Sequence, residues 1–135
     1  MLNADQIGPA VNPPDFYHSP LTTLVCLENT TNKGGGVCYE FEQIKVIGEV
    51  CRSLGLKYHL DGARLWNALV AKGDDPMAYG REFDSISVCL SKGLGAPMGT
   101  VLVGKSSVID RAMRVRKVLG GGMRQVGYMA AAGLY

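Results

Sequence analysis

The chain has 135 residues, of which 47% are hydrophobic and 19% charged. This length suits one domain, and the composition supports a packed core and excludes global disorder. No apolar run reaches the roughly 20 residues that a membrane-spanning helix needs. The first 20 residues also lack the basic start and apolar stretch of a secretory signal. We therefore expect a cytoplasmic protein without a membrane partner, and the net charge of +2 gives no reason to expect nucleic acid.

The four cysteines stand at positions 26, 38, 51 and 89, without a Cys-x-x-Cys pair and without a histidine at metal-ligand spacing. This pattern favours free thiols and predicts no metal site. Cys26 and Cys89 lie inside apolar runs, where a thiol usually packs as a small core residue. We expect both of these side chains to be in the core.

The predicted elements alternate between strands and helices. Residues 1–20 contain four of the six prolines and are expected to be irregular. Apolar runs and helical periodicity then predict strands at 24–28, 57–61, 84–90 and 100–103, and helices at 39–54, 63–72, 106–119 and from 123 onward. Gly55 and Gly73 are placed to end the first two helices.

The order strand, helix, strand, helix, strand predicts a parallel sheet with crossover helices. The loop at 91–97 is too short for a crossover, so the fourth strand is expected to pair antiparallel. The chain begins without a first strand–helix unit and ends inside a predicted helix. We therefore expect residues 21–135 to be the central part of a larger α/β domain, with residues 1–20 as an irregular lead-in.

Three groups of polar residues follow the predicted strands, at the sheet edge where ligands of parallel α/β folds bind. They are Glu28, Asp61 with Arg64, and Lys92. Each also has a structural interpretation: Glu28 as a loop cap, Asp61 as a helix N-cap, and Lys92 as a surface lysine on a turn. A lysine in a dry pocket is also an amine nucleophile, and an aspartate can pair with a pyridinium nitrogen.

Downstream, Lys117 and Arg124 flank the three glycines at 120–122, as residues of a phosphate site would. A reactive lysine, a ring partner and a phosphate site together are what a pyridoxal phosphate enzyme needs. The basic block from Lys105 onward also fits a solvated surface or a subunit interface.

Four segments carry a resemblance to a known family: LENTTN (27–32), HLDGARLWNA (59–68), SVCLSKGLGAP (87–97) and RKVLGGGMRQ (116–125). They closely resemble the low-specificity L-threonine aldolases, which are pyridoxal phosphate enzymes of fold type I, the aspartate-aminotransferase type. The resemblance covers about residues 16–135. It implies a partial three-layer, parallel-sheet large domain, with an N-terminal segment and a C-terminal small domain absent. It also implies homo-oligomers whose active sites lie at subunit boundaries.

The resemblance implies cleavage of L-threonine or L-allo-threonine to glycine and acetaldehyde. By that resemblance, Lys92 is the Schiff-base lysine, Asp61 is the partner of the pyridinium nitrogen, and Arg64 lies near the substrate carboxylate. Lys117 and Arg124 match positions near the cofactor phosphate, contributed by a neighbouring subunit.

Two further positions concern histidines of the family. His18 lies about where the family has an active-site histidine near the substrate hydroxyl, although a surface histidine in a Pro-rich loop has the same pattern. Thr31 takes the place of a second histidine, in the LENTTN segment. A threonine hydroxyl is not a base near neutral pH, so this position departs from the family.

Three other interpretations are considered. The first is another fold-type-I lyase or a transaminase, since Lys92 and Asp61 would serve all of them. The second is a catalytically inactive, truncated aldolase. The third is a dinucleotide-binding domain, and we set it aside because a strand follows the glycines at 93–99 where a helix is required.

Overall fold

The computed structural model describes residues 1–135 and contains one four-stranded sheet. Its strands are β1 (Leu24–Glu28), β2 (Lys57–Gly62), β3 (Ser85–Cys89) and β4 (Thr100–Gly104), in the spatial order β1-β2-β3-β4. The first three strands are parallel and β4 is antiparallel to β3. Both the four strands and the change of direction at β4 confirm the sequence predictions.

Six helices accompany the sheet: α1 (Ile7–Ala10), α2 (Phe41–Ser53), α3 (Leu65–Lys72), α4 (Pro76–Glu82), α5 (Ser106–Val118) and α6 (Gly127–Leu134). Four of them were predicted, although α6 begins four residues later than expected. Gly55 and Gly73 follow α2 and α3 with φ of 68° and 70°, left-handed values that stop a helix. None of these helices is long and apolar enough to cross a membrane.

The prediction that residues 1–20 are irregular was wrong for residues 4–10. A 3₁₀ turn at Ala4–Gln6 leads into α1, and the side chain of Ile7 is only 3% exposed. Helix α4 was missed, although the sequence carries its start signal. Asp75 accepts a hydrogen bond from the Met77 backbone N–H at 3.0 Å, and Pro76 occupies the first helical position.

The core lies on one face of the sheet. Alternate residues of β1, β2 and β3 point to this face, and helices α2, α3 and α4 cover it because their apolar side chains fall at helical spacing. The largest members of this core include Tyr58, Leu60, Ile44, Ile47 and Tyr79. All buried residues lie between Ile7 and Ile86, so the core is built by the first two thirds of the chain.

A buried amide ties the carboxyl end of β1 to this helical layer. Asn29 is fully buried, and its Nδ2 donates to the Tyr79 hydroxyl at 3.4 Å while its Oδ1 accepts from the Tyr39 backbone N–H at 3.4 Å. The Tyr79 hydroxyl in turn donates to Asp74 Oδ2 at 3.0 Å. Every buried side-chain polar atom has a hydrogen-bond partner. This network fixes where the chain leaves the sheet after β1.

The opposite face of the sheet is covered only near β4. There Leu102 and Thr100 line a cavity together with Ile109, Ala112 and Met113 of α5, and α5 forms the second helical layer. Cys26 points to the part of this face that the chain leaves open and is exposed, and Cys89 is half-buried. The prediction that both thiols lie in the core was therefore wrong.

Candidate active site

The polar residues predicted at the sheet edge lie side by side on the face opposite the core. Glu28 at the end of β1 is the register partner of Asp61 on β2, and Asp61 is the partner of Ser87 on β3. Register partners on adjacent strands are about 5 Å apart. All three side chains are half-buried. The sheet thus brings two carboxylates together at one edge.

Asp61 holds the turn that follows β2. Its Oδ1 accepts a hydrogen bond from the Ala63 backbone N–H at 3.0 Å, and its Oδ2 has no hydrogen-bond partner in the chain. Helix α3 begins at Leu65, and Arg64 is its N-cap residue. The interpretation of Asp61 as the N-cap was therefore wrong, although the carboxylate does bind a backbone N–H in the turn before the helix. One carboxylate oxygen remains available for a ligand.

Arg64 is held against the end of β1. Its Nη1 lies 3.5 Å from Glu28 Oε1, and its Nη2 donates to Asn32 Oδ1 at 3.3 Å. Glu28 Oε2 accepts the Asn32 backbone N–H at 2.9 Å, so Glu28 does cap the loop as the sequence suggested. The three residues form a cluster that we call the Glu28–Asn32–Arg64 cluster.

The loop after β1 folds back on itself. Thr31 and Val37 form an isolated antiparallel bridge, and the Gly36 N–H donates to the Thr31 carbonyl at 2.9 Å. The Thr31 hydroxyl donates to the Glu28 carbonyl at 3.4 Å. Thr31 stands where the resemblance to threonine aldolases implies a histidine. Its side chain is hydrogen-bonded within its own turn. Gly35 and Gly36 have φ of 77° and 82°, which the tight turn requires.

An open cavity of about 590 Å³ lies between this loop, α3 and the loop after β3. Its lining includes Thr30, Gly36, Cys38, Arg64, Asn67, Lys92 and Gly93. Arg64 and Lys92, both predicted site residues, therefore share one cavity. A Cβ built on Gly93 would lie 2.7 Å from Asn67 Oδ1, so a larger residue beside Lys92 would crowd this wall.

Cys89 is the last residue of β3, before the loop that contains Lys92. Its Sγ lies 3.3 Å from the Ser91 hydroxyl, and that hydrogen bond lowers the pKa of the Cys89 thiol below its ordinary value. The positive charge of Lys92 lowers this pKa further, and the negative charge of Asp61 raises it.

Four predicted site residues do not line this cavity: Asp61, which lies on β2, and His18, Lys117 and Arg124. His18 is exposed and packs between aromatic neighbours, with its ring centroid 3.9 Å from that of Tyr17 and 5.5 Å from that of Phe16. Lys117 and Arg124 are exposed at and after the end of α5. Lys92 itself is exposed, so this chain alone does not provide the dry surroundings expected for a reactive lysine.

Sequence reasoning missed residues of the cavity wall and of the Glu28–Asn32–Arg64 cluster. Asn32, Thr30 and Asn67 fall inside the segments LENTTN and HLDGARLWNA, which drew attention for other residues. Cys38 had no local signal, because only the folding back of the loop brings it to the cavity.

The chain is similar in sequence and in fold to known proteins. The family model of the beta-eliminating lyases matches residues 1–135. The chain belongs to the beta-eliminating lyase family. It is 47% identical over 136 residues to low-specificity L-threonine aldolase 1 of Arabidopsis thaliana, and 45% identical over 134 residues to the low specificity L-threonine aldolase of Escherichia coli K12. These matches cover 98% and 99% of the chain.

This member of the beta-eliminating lyase family also resembles solved structures. A threonine aldolase from Leishmania major superimposes with a TM-score of 0.84 at 26% identity, over 98% of this chain and 38% of that one. The α/β fold expected from the resemblance is therefore confirmed. The chain spans 37% and 39% of the length of the Arabidopsis and Escherichia coli relatives.

Proposed function

We propose that this chain carries the core of a pyridoxal phosphate-dependent lyase site that cleaves L-threonine or L-allo-threonine to glycine and acetaldehyde. The observation that carries the proposal is the cavity shared by Lys92 and Arg64. The Asp61 carboxylate lies near the end of β2, three residues before Arg64. The relatives named as threonine aldolases support this choice of substrate.

The residues present fit this cofactor. Lys92 supplies an amine, and Asp61 has one carboxylate oxygen without a partner. The cavity volume falls in the range of small-molecule sites. Gly93 has no side chain, which leaves space in the cavity wall beside Lys92. When bound, pyridoxal phosphate supplies a ring that stabilises the negative charge left on the substrate α-carbon when the Cα–Cβ bond breaks.

Each residue then has a defined task. Lys92 would hold the cofactor through Nζ, and the Asp61 carboxylate would accept a hydrogen bond from the ring N–H and keep that proton in place. Arg64 binds and orients the substrate carboxylate through its N–H donors. Lys117 and Arg124 bind the cofactor phosphate of a neighbouring subunit in a homo-oligomer. His18 accepts the proton of the substrate hydroxyl in the assembled enzyme.

The test is the visible absorbance of the purified chain after addition of pyridoxal phosphate. We expect a band that borohydride fixes as a mass increase on the peptide containing Lys92. Lys92→Ala removes this band, whereas Lys105→Ala, at an exposed position before α5, keeps it. A spectrum that is the same in the chain and in Lys92→Ala would refute cofactor binding by this chain.

The alternative proposal is a catalytically inactive chain that does not hold the cofactor, favoured by the exposure of Lys92. In that case no Lys92-dependent band forms, and threonine releases no glycine or acetaldehyde. Amino-group transfer without release of acetaldehyde would instead favour a transaminase of the same fold.

A further inference from the structure

Glu28 lies beside a second carboxylate. Its register partner on β2 is Asp61, so two carboxylates stand next to each other on one face of the sheet. Like charges at such positions repel each other. Arg64 is the cation that offsets this repulsion, with Nη1 3.5 Å from Glu28 Oε1.

The cluster holds one side of the Arg64 guanidinium. Nη1 faces Glu28 Oε1 and Nη2 donates to Asn32 Oδ1. Glu28 is itself held, because its Oε2 accepts the Asn32 backbone N–H. The side chains of Arg64 and Glu28 are 34% and 32% exposed, so the pair is partly shielded from water. Such shielding makes the ion pair stronger than one on an open surface.

The remaining N–H donors of Arg64 are free for a ligand. A guanidinium has five N–H donors in one plane, and these contacts occupy only part of them. Arg64 also lines the cavity that contains Lys92. Recognition of a carboxylate by two parallel N–H donors requires this plane to be fixed, and a free arginine loses side-chain entropy when it binds.

We propose that Glu28 is a positioning residue, which fixes the Arg64 guanidinium in the orientation that receives the substrate carboxylate. The inference rests on the proposed function, since it assigns the ligand of Arg64 as an α-amino acid. It adds a residue on β1 to Asp61 on β2, Arg64 at the N-cap of α3 and Lys92 in the loop after β3.

The first experiment labels arginines with phenylglyoxal and needs no cofactor. Glu28→Gln keeps the size of the side chain and an oxygen that can accept the Asn32 N–H, but removes the charge that faces Arg64. We expect labelling of Arg64 to become about three- to fivefold faster, because its ion pair is lost. Labelling of the exposed Arg114 serves as the reference within each sample. An unchanged rate at Arg64 would overturn the inference.

The second experiment separates binding from turnover. We expect Glu28→Gln to raise the KM for L-threonine roughly five- to tenfold while kcat stays within about twofold, and Glu28→Asp to recover part of the loss. Glu49→Gln removes a negative charge at an exposed position on α2 and should leave both constants unchanged. A lower kcat with an unchanged KM would contradict a role in placing the carboxylate.

A binding measurement tests whether the carboxylate is the part of the ligand that Arg64 recognises. Glycine and ethanolamine both carry an amine, but only glycine has a carboxylate. Glu28→Gln should weaken the change in visible absorbance that glycine causes. The change that ethanolamine causes should stay the same. Equal weakening for both would overturn the inference. Absence of the Lys92-dependent band in the unmodified chain would instead refute the proposed function, and the labelling result would still decide whether Glu28 fixes Arg64.

Discussion

Gly62 gives the sharpest test of how tightly the site edge is packed. It is the last residue of β2, directly after Asp61, and it is buried. A Cβ built on it would lie 2.6 Å from the Ser87 carbonyl oxygen and 3.1 Å from Leu65 Cβ. Ordinary contacts of this kind are about 3.4 Å or longer, so the strand backbone has to move by several tenths of an ångström. We expect Gly62→Ala to lower the free energy of unfolding by about 1–3 kcal/mol.

Gly80→Ala is the matched control, because the same methyl group is added where there is room. Gly80 lies inside α4, and a Cβ built on it meets no atom within 4 Å. An alanine there should raise the free energy of unfolding by about 0.5–1 kcal/mol, since glycine is the poorer helix former. Urea titrations followed by far-UV circular dichroism give the free energy of unfolding of both variants. Equal m-values show that neither substitution changes the surface exposed on unfolding. A Gly62→Ala variant as stable as the unmodified chain would refute the close approach of β2 to β3.

Two further predictions concern titrating groups. Burial raises the pKa of the Tyr58 phenol, and its hydroxyl donates to the Ile44 carbonyl at 3.3 Å. The unfolded phenol ionises near pH 10, so the contribution of Tyr58 to stability should be constant below about pH 10 and be lost as the pH rises above it. The fall in stability at high pH should therefore be less steep in Tyr58→Phe. Unfolding titrations at about pH 8 and pH 11 measure this difference. The lowered pKa of Cys89 predicts alkylation by iodoacetamide at a lower pH than Cys51, whose pKa burial raises.

The outcomes that would contradict these two predictions are specific. An identical loss of stability at high pH in Tyr58→Phe would mean that its phenol does not resist ionisation in the folded state. For the thiols, mass spectrometry of the labelled peptides gives the rate at each cysteine. Faster labelling of Cys51 than of Cys89 near neutral pH would contradict both the burial of Cys51 and the hydrogen bond between Cys89 and Ser91.

The strands and main helices could be predicted because each depends on a local pattern. Apolar runs identify β1 to β3, and the short loop after β3 dictates the antiparallel β4. The error at Cys26 shows the limit of that reasoning. The run Leu24–Leu27 is apolar throughout, and such a run predicts burial on both faces. In this structure only Val25 and Leu27 of β1 are buried, because no element of the chain covers the other face there.

The part of the candidate site that lies at the strand ends could be predicted from the sequence. Asp61 and Lys92 could be identified because parallel strands align their carboxyl ends at one edge. The contacts of Arg64 could not, because they depend on how the loop after β1 folds. That loop is set by the Thr31–Val37 bridge and by glycines with positive φ, which no periodic pattern encodes. Its closure is what brings Asn32 to Arg64 and Gly36 to the cavity.

Strand β2 shows how one short segment serves both the core and the site. Its alternate residues Tyr58 and Leu60 pack under the helices, and His59 and Asp61 point to the opposite face. His59 Nδ1 lies 2.8 Å from the Ser85 hydroxyl, so both faces of the strand are fixed to their surroundings. A change of pairing by one residue would exchange the two sets and bury the Asp61 carboxylate in the apolar core. The buried side chains of β2 therefore keep Asp61 at the site edge, and the same packing accounts for the sensitivity expected at Gly62.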